Sequence, residues 1–294
     1  MMIQFDSKIS GASVDLYRYT PSIGLKMSRV KSYISDIEQV IGISGVRVMA
    51  PIPNTSFVGF EIPKTERIFP KLPKEADGFN VAIGQTIMGE IRRFDLRSAP
   101  HMLVAGSTGS GKSVFLNAII KQLIELPNVD LHLFDPKQIE LSQYEDNVCE
   151  YLHNHKSIMG SLESLVEEME SRYTAMRKKK AKNIDKMPGM NYKFIIIDEY
   201  ADIALKEESS KNLQLLAQKG RACGIHIIIA TQRASTKIIS GDIKINFVCK
   251  AVFKMSKEVD SRIMIDETGA ERLLGKGDML FYDGCGLERL QGFI

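Results

Sequence analysis

From residue 101 onward, apolar residues come in short unbroken runs. They are 101–105 (His-Met-Leu-Val-Ala), 130–134 (Asp-Leu-His-Leu-Phe), 193–197 (Lys-Phe-Ile-Ile-Ile), 225–230 (Ile-His-Ile-Ile-Ile-Ala) and 248–253. Runs of this length, rich in β-branched residues, fit strands buried on both faces of a parallel sheet. Between them the period changes to that of a helix. Residues 157–180 put Leu162, Leu165, Val166, Met169, Tyr173 and Met176 on one face, and residues 206–220 do the same with Leu213, Leu216 and Ala217. Strand and helix alternate, which predicts an α/β fold with a central parallel sheet.

Residues 1 to about 75 follow another pattern. Residues 14–17 and 46–49 read as short strands. Between them, residues 32–41 read as a helix with Ile34, Ile37 and Ile41 on one face. Prolines and turn residues then crowd the stretch 51–73, and a joining segment runs from Pro70 to Gly78. The expected division is a small α/β unit over 1–78 and a larger α/β unit over 79–294. There is no internal repeat or low-complexity tract.

The first strand of the larger unit leads into Gly106-Ser107-Thr108-Gly109-Ser110-Gly111-Lys112-Ser113. Apolar residues at helical spacing follow it. Glycine, four residues, then Gly-Lys-Ser between a strand and a helix is a phosphate-binding loop. Its glycines let successive N–H groups turn toward one anion, and the helix adds its positive end. Lys112 is placed to reach the β- and γ-phosphates of ATP, and the Ser113 hydroxyl to hold Mg²⁺.

The run at 194–197 ends in Asp198-Glu199. Parallel sheets present ligand groups at the C-terminal ends of strands, so Asp198 is the second Mg²⁺ residue. Glu199 is placed to polarise water as general base. The strand at 225–230 ends in Thr231-Gln232-Arg233, and Gln232 is the candidate sensor of the γ-phosphate. Asp135 and Lys137 follow the strand at 130–134. They either orient the site or pair with each other.

Composition sets limits. Of 294 residues, 44% are hydrophobic and 26% charged, as in water-soluble globular chains. No apolar run approaches the roughly 20 residues that span a bilayer, and residues 1–6 do not read as a secretion signal. Cys149, Cys223, Cys249 and Cys285 lack metal-ligand spacing and read as thiols of a reducing cytoplasm. A net charge of +3 argues no nucleic-acid partner by itself. The one dense basic run is Arg177-Lys178-Lys179-Lys180-Ala181-Lys182, which also suits a helix C-terminus.

With these residues in place, the chain resembles the motor region of the FtsK/SpoIIIE family of double-stranded DNA translocases. The resemblance runs in order through Ala105 to Val114, Asp135-Pro136-Lys137, Glu168-Met169, Arg172-Tyr173 and Ile197-Asp198-Glu199. It continues through Arg221-Ala222, Gly224-Ile225-His226, Ala230 to Arg233, Asp260-Ser261-Arg262 and Leu273 to Met279. Residues 51–53, 58–59 and 61–63 also fit. Departures are Ala234 where the family has proline, Lys250 where arginine is usual, and a short segment after Asp202. The membrane-spanning region and winged-helix domain of the family are not in the sequence. That leaves either a shortened chain or a compact motor of a phage or mobile element, and the second is the expectation.

The resemblance implies a RecA-like P-loop ATPase of the type in which a catalytic glutamate neighbours the Mg²⁺-binding aspartate. It implies a hexameric ring around duplex DNA, in the cytoplasm. Such a ring implies an arginine finger reaching a neighbour's ATP, with Arg221 first and Arg262 second. It also implies Lys and Arg facing the DNA: Arg233, Lys237 and Lys244 after the strand at 225–230, or Arg177, Lys178, Lys179 and Lys180. Competing readings are a conjugative coupling or DNA-packaging ATPase that needs a protein partner, and a non-motor ATP-dependent switch.

Overall fold

The structure is a computed structural model that describes residues 3–52, 55–75, 77–204 and 207–294. Lys206, expected to begin a helix, and Pro53, within the N-terminal resemblance, lie outside the described residues, as do Met1 and Met2.

The first sheet has four antiparallel strands. They are β1 (Ile3–Ser10), β2 (Val14–Pro21), β3 (Arg47–Met49) and β4 (Val58–Pro63), in the order β1-β2-β4-β3. Helices α1 (Met27–Ser32) and α2 (Ile34–Ile41) lie between β2 and β3. The single helix expected over 32–41 is thus two, broken at Tyr33, whose ψ of 2° departs from the helical value. Ile34 and Ile37 pack on the Val30–Val48–Val58–Phe60 cluster, whereas Ile41 faces outward. β1 and β4 have no counterpart in the sequence reading. β1 carries Gln4, Asp6, Ser7 and Lys8, and β4 carries the wholly buried Glu61, so neither reads as an apolar run.

The second sheet begins with β5 (Asn80–Thr86) and β6 (Ile91–Asp95), followed by β7 (His101–Ala105) and α3 (Lys112–Ile124). β8 (Val129–Phe134), β9 (Glu150–Leu152) and α4 (His155–Lys178) come next, then β10 (Tyr192–Ile197), α5 (Tyr200–Ala204) and α6 (Glu207–Lys219). The chain closes with β11 (Ile225–Thr231), α7 (Gly241–Asn246), β12 (Cys249–Phe253), α8 (Glu258–Ile265), β13 (Asp278–Tyr282) and β14 (Leu287–Gln291). The ten strands are ordered β6-β5-β14-β13-β12-β7-β11-β10-β8-β9. From β12 to β9 every pairing is parallel, and from β12 out to β6 every pairing is antiparallel.

The parallel half matches the expected sheet, and its runs bury both faces. Leu103, Ile195, Ile197, Ile227 and Ile229 pack under α4 and α6, against Leu162, Leu165, Met169, Leu213 and Leu216. The alternate residues Met102, Val104, Phe194, Ile196 and Ile228 pack under α3, against Phe115, Leu116, Ile119, Ile120 and Leu123. This is a strand's period of two sending neighbours to opposite faces. The antiparallel wing was not expected. Its strands mix apolar residues with charges that look like surface positions, as in Asp-Met-Leu-Phe-Tyr and Leu-Glu-Arg-Leu-Gln.

Those charges are internal. Arg289, on β14, is 4% exposed, and Asp278 and Glu61 no more than 1%. Arg289 donates Nε and Nη2 to the two oxygens of Asp278 (2.9 and 2.7 Å) and Nη1 to Glu61 (2.8 Å). Arg47 adds a bond to Glu61 at 3.3 Å. A buried, mutually satisfied ion network therefore joins the small sheet to the large one. At the other rim Arg272 pairs with Glu38 at 3.2 Å.

Two buried histidines sit at the start of the parallel strands. His101 bonds the Ala217 carbonyl through Nε2 (2.9 Å) and accepts the Ile227 N–H at Nδ1 (3.0 Å), so it is held neutral. His226 lies 3.0 Å from the Pro100 carbonyl through Nδ1. Burial pushes the first down to about 3 and the second to about 4, against about 6.5 in an unfolded chain. Below pH 6.5 the unfolded chain gains protons that the native one refuses, so stability falls as pH drops toward 4. The thermal midpoint should be lower at pH 5 than at pH 7, and His226→Asn should shrink that difference. An undiminished difference in the variant, followed by circular dichroism, would count against His226 as a source.

Candidate nucleotide-binding site

β7 delivers the chain to Gly106, and Gly106 must be glycine. A Cβ there would meet Ser110 Oγ at 2.5 Å and Phe253 Cβ at 2.7 Å. The loop is tied on both sides: Gly106 N–H to Thr231 O (3.3 Å), Ser107 N–H and hydroxyl to Lys254 O (both 2.9 Å). Gly109 and Gly111 have φ of +74° and +108°, values that L side chains resist. At Gly111 there is also no room, because a Cβ would sit 2.3 Å from Gly277 N. Gly277 N–H in turn donates to Ser110 O at 2.8 Å. α3 starts at Lys112, so its first amides face the turn that the glycines make.

A cavity of about 500 Å³ opens over this loop. Ser107, Thr108, Gly109, Gly111, Lys112, Ser113 and Val114 line it, with Gln232 at one side. Of the expected phosphate-loop residues, all but the buried Gly106 and Ser110 line it. Phe69, Glu140, Lys276, Gly277, Phe293 and Ile294 complete the wall, and sequence reasoning assigned none of them a role. They come from segments more than 200 residues apart. The available signal is the Gly275-Lys276-Gly277 cluster, within the 273–279 stretch that resembles the family.

The carboxylates follow β10. Lys112 and Asp198 are both buried, and Lys112 Nζ lies 2.5 Å from Asp198 Oδ1. Burial holds the Asp198 carboxyl above its usual range, against the pull of Lys112. Glu199 is 2% exposed and adopts φ +57°, a strained backbone for a non-glycine residue. Its Oε1 accepts from the Thr231 hydroxyl (2.9 Å) and from Gln232 N–H (3.2 Å). Its Oε2 lies 3.2 Å from Lys137 Nζ. The open question about Asp135 and Lys137 therefore resolves against a mutual ion pair. Lys137 turns its amine to Glu199, while the Asp135 carboxylate accepts the N–H groups of Lys137, Glu140 and Leu141 (3.0–3.2 Å).

Gln232 reaches back to the phosphate loop, where Thr108 Oγ1 donates to its Oε1 at 3.0 Å. Strand order explains the meeting. β11 lies between β7 and β10, so the end of β11 touches both the loop and Glu199. β8 falls between loop and carboxylates in sequence but lies beyond β10 in the sheet.

The other expected residues are elsewhere. Arg221 precedes β11, at the opposite end of the strands from Lys112, and donates to Ser98 O at 3.1 Å beside a second cavity of about 680 Å³. A strand of this length spans about 20 Å, so Arg221 cannot serve its own loop. Arg262 is exposed and paired with Glu258 one turn earlier. Arg233 and Lys237 are exposed after β11, but Lys244 is held 2.5 Å from Asp266. Arg177, Lys178, Lys179 and Lys180 are exposed at the C-terminus of α4, where cations suit the helix dipole.

The donor set fits a magnesium nucleotide. Ser113 and Asp198 supply hard oxygen, and Mg²⁺ takes few protein ligands, completing its shell with phosphates and water. Gly111→Ala should abolish ATP binding, because the new methyl must displace Gly277 and distort the loop. Thermal-shift and calorimetric titration with ATP would check this, and parental affinity would refute the packing argument.

A model of the FtsK alpha domain matches residues 3–64, and one of the FtsK/SpoIIIE family matches residues 70–195. The DNA translocase FtsK of Streptococcus pneumoniae is 36% identical over 92% of the chain, and that of Lactococcus lactis subsp. lactis 37% over 94%. The chain spans about two fifths of the length of these curated relatives (39% and 40%). Among solved structures, the pCW3 conjugation coupling protein TcpA, in a monomer form with ATPγS, superposes with a TM-score of 0.73. It is 24% identical, and the match covers 99% of this chain and 88% of that one. EssC ATPases 2 and 3 of Geobacillus thermodenitrificans give 0.68 at 16% identity, over 77% and 46% of the two chains. These likenesses show a shared fold. Two family models that together match more than half of the chain, and relatives above one-third identity along nearly all of it, make this chain a member of the FtsK/SpoIIIE family.

Proposed function

We propose that the chain is an ATP-driven motor that moves along duplex DNA as a ring of identical copies, the 79–294 unit holding the nucleotide. The single observation that carries this is the continuous path Thr108–Gln232–Glu199, with Lys137 at its far end. The path starts at the loop that would hold the phosphates and passes through Gln232, the first residue of the segment that carries Arg233 and Lys237.

In this reading the loop amides and Lys112 bind the phosphates of ATP, and Lys112 trades Asp198 for them. Ser113 and Asp198 would hold Mg²⁺, which when bound would offset phosphate charge. Glu199 takes a proton from the attacking water. Release of Lys137 from Oε2 leaves that oxygen free to do so. Thr231 and the Gln232 amide keep the carboxylate aimed. Gln232 reads the γ-phosphate position through its bond to Thr108 and passes any shift to the residues after it. Arg233 and Lys237 then grip DNA phosphates without reading bases, as a tracking motor requires. Lys244, paired with Asp266, would have to leave that partner to join them. The Arg177–Lys180 cluster lies at the other end of the parallel strands, away from this path. The relatives are bacterial, which supports the cytoplasm of a bacterial cell and lends nothing to a phage setting.

ATP turnover should rise several-fold with duplex DNA and less with single strands. Lys112→Ala should remove binding and turnover together. Glu199→Gln should keep ATP binding and lose roughly 10²–10⁴-fold in rate, the usual share of a general base. Turnover indifferent to duplex DNA would sink the motor reading and favour an ATP-dependent switch or a partner-dependent coupling ATPase.

Because Arg221 lies a strand's length from its own loop, it can complete catalysis only across a subunit boundary. Arg221→Ala subunits should bind ATP yet be inactive alone, and regain part of the rate when mixed with Lys112→Ala subunits. An arginine supplied in trans is worth about 10³–10⁵ in phosphoryl transfer. Mixtures that stay inactive, with rings seen by electron microscopy, would move the role to Arg262.

A further inference from the structure

The wall of the nucleotide cavity is held from behind by a residue of the connection between the two sheets. Arg67 Nη2 donates to Gly275 O (2.9 Å) and to Gln291 Oε1 (2.8 Å), with Lys276 O at 3.5 Å. Its Nε donates to Ser13 Oγ at 3.2 Å. Gln291 returns a bond from Nε2 to Lys276 O at 2.9 Å, and the Ser13 hydroxyl donates to Gln291 Oε1. One side chain thus ties the β1–β2 turn, the connection, β14 and the 275–277 segment together. Gly275 and Gly277 have φ of +72° and +88°, so this segment is shaped by its partners rather than by its own side chains.

The front of the same segment touches the phosphate loop, through Gly277 N–H to Ser110 O and the close approach to Gly111. The guanidinium also lies over the Phe69 ring, 5.1 Å from its centroid, and Phe69 lines the cavity. Arg67 therefore fixes two parts of the cavity wall and reaches neither Lys112 nor the carboxylates.

We propose that Arg67 is a positioning residue for nucleotide. It clamps 275–277 onto the phosphate loop and sets Phe69 at the cavity wall, so its own bonds to these two parts of the wall govern affinity for ATP. This rests on the reading of the cavity as an ATP site. Arg67 acts on binding rather than on the chemical step, since Lys112, Asp198 and Glu199 keep their own partners without it.

The test is calorimetric titration of the full chain with Mg²⁺-ATPγS, alongside steady-state ATPase. Arg67→Ala should weaken ATPγS about tenfold, as expected for loss of a charge-assisted bond, and raise KM for ATP to match, with kcat within about twofold. Arg67→Lys keeps the charge but cannot span three acceptors, and should fall between the two. Arg272→Ala breaks another contact between the same parts and should bind like the parent. Parental affinity in Arg67→Ala would overturn the proposal, and so would an equal loss in Arg272→Ala. If Arg67→Ala does not fold, parental affinity in Arg67→Lys overturns it instead. Lys112→Ala separates the two levels: if it still binds ATPγS, the ATP-site reading itself fails, whatever Arg67 does.

Discussion

Everything at the nucleotide site depends on two backbones passing without side chains between them. Gly111 and Gly277 approach so closely that a Cβ on the first would lie 2.3 Å from the nitrogen of the second. Close packing of this kind leaves no freedom to relax, because neighbouring atoms fill the interior to crystal-like density. The contact locks the last turn of the phosphate loop, fixes where α3 starts, and so aims the helix amides and Lys112. It also makes the 275–277 segment part of the site, although that segment begins the antiparallel wing and follows the loop by more than 160 residues.

Strand order supplies the second constraint. With β11 set between β7 and β10, one strand end meets both the phosphate loop and the catalytic carboxylate candidate. Gln232 takes a bond from Thr108, and its N–H donates to Glu199. A displacement of a few tenths of an ångström at either contact must be accommodated in residues 232–240, since β11 itself is buried throughout. The strained φ of Glu199 belongs to the same arrangement: three partners hold a backbone that the chain alone would not choose.

The parallel half of the sheet was legible because its strands are buried on both faces and so read as unbroken apolar runs. Lys112, Ser113, Asp198 and Glu199 stood out as candidates because the chemistry proposed for them needs fixed residue types, at a helix start for the first two and after a strand end for the others. The antiparallel wing was not, and the reason is specific. Asp278 and Arg289 look like solvent-facing charges in a short strand, yet each is buried by pairing with the other, a long-range fact no local pattern carries. Glu61 hid β4 for the same reason. Phe69, Lys276 and Phe293 were invisible as a group because only the fold brings them to one cavity. Lys137 was seen as a candidate, but its partner was undecidable until Glu199 was placed.

The buried network around Arg289 is better understood as a fixing device than as a source of stability. Replacing such a network with well-packed apolar residues is often neutral or stabilising, because desolvating the charges offsets most of their attraction. What it supplies here is direction. Asp278 takes two bonds from Arg289 and, through Oδ2, the Leu274 N–H at 2.8 Å, so the loop 274–278 is pinned at both ends. Glu61 ties the same arginine to the small sheet. An apolar patch would bury comparable area while letting that sheet slide. A bidentate ion pair admits one seating, and that seating places Arg67 behind the segment that closes on Gly111.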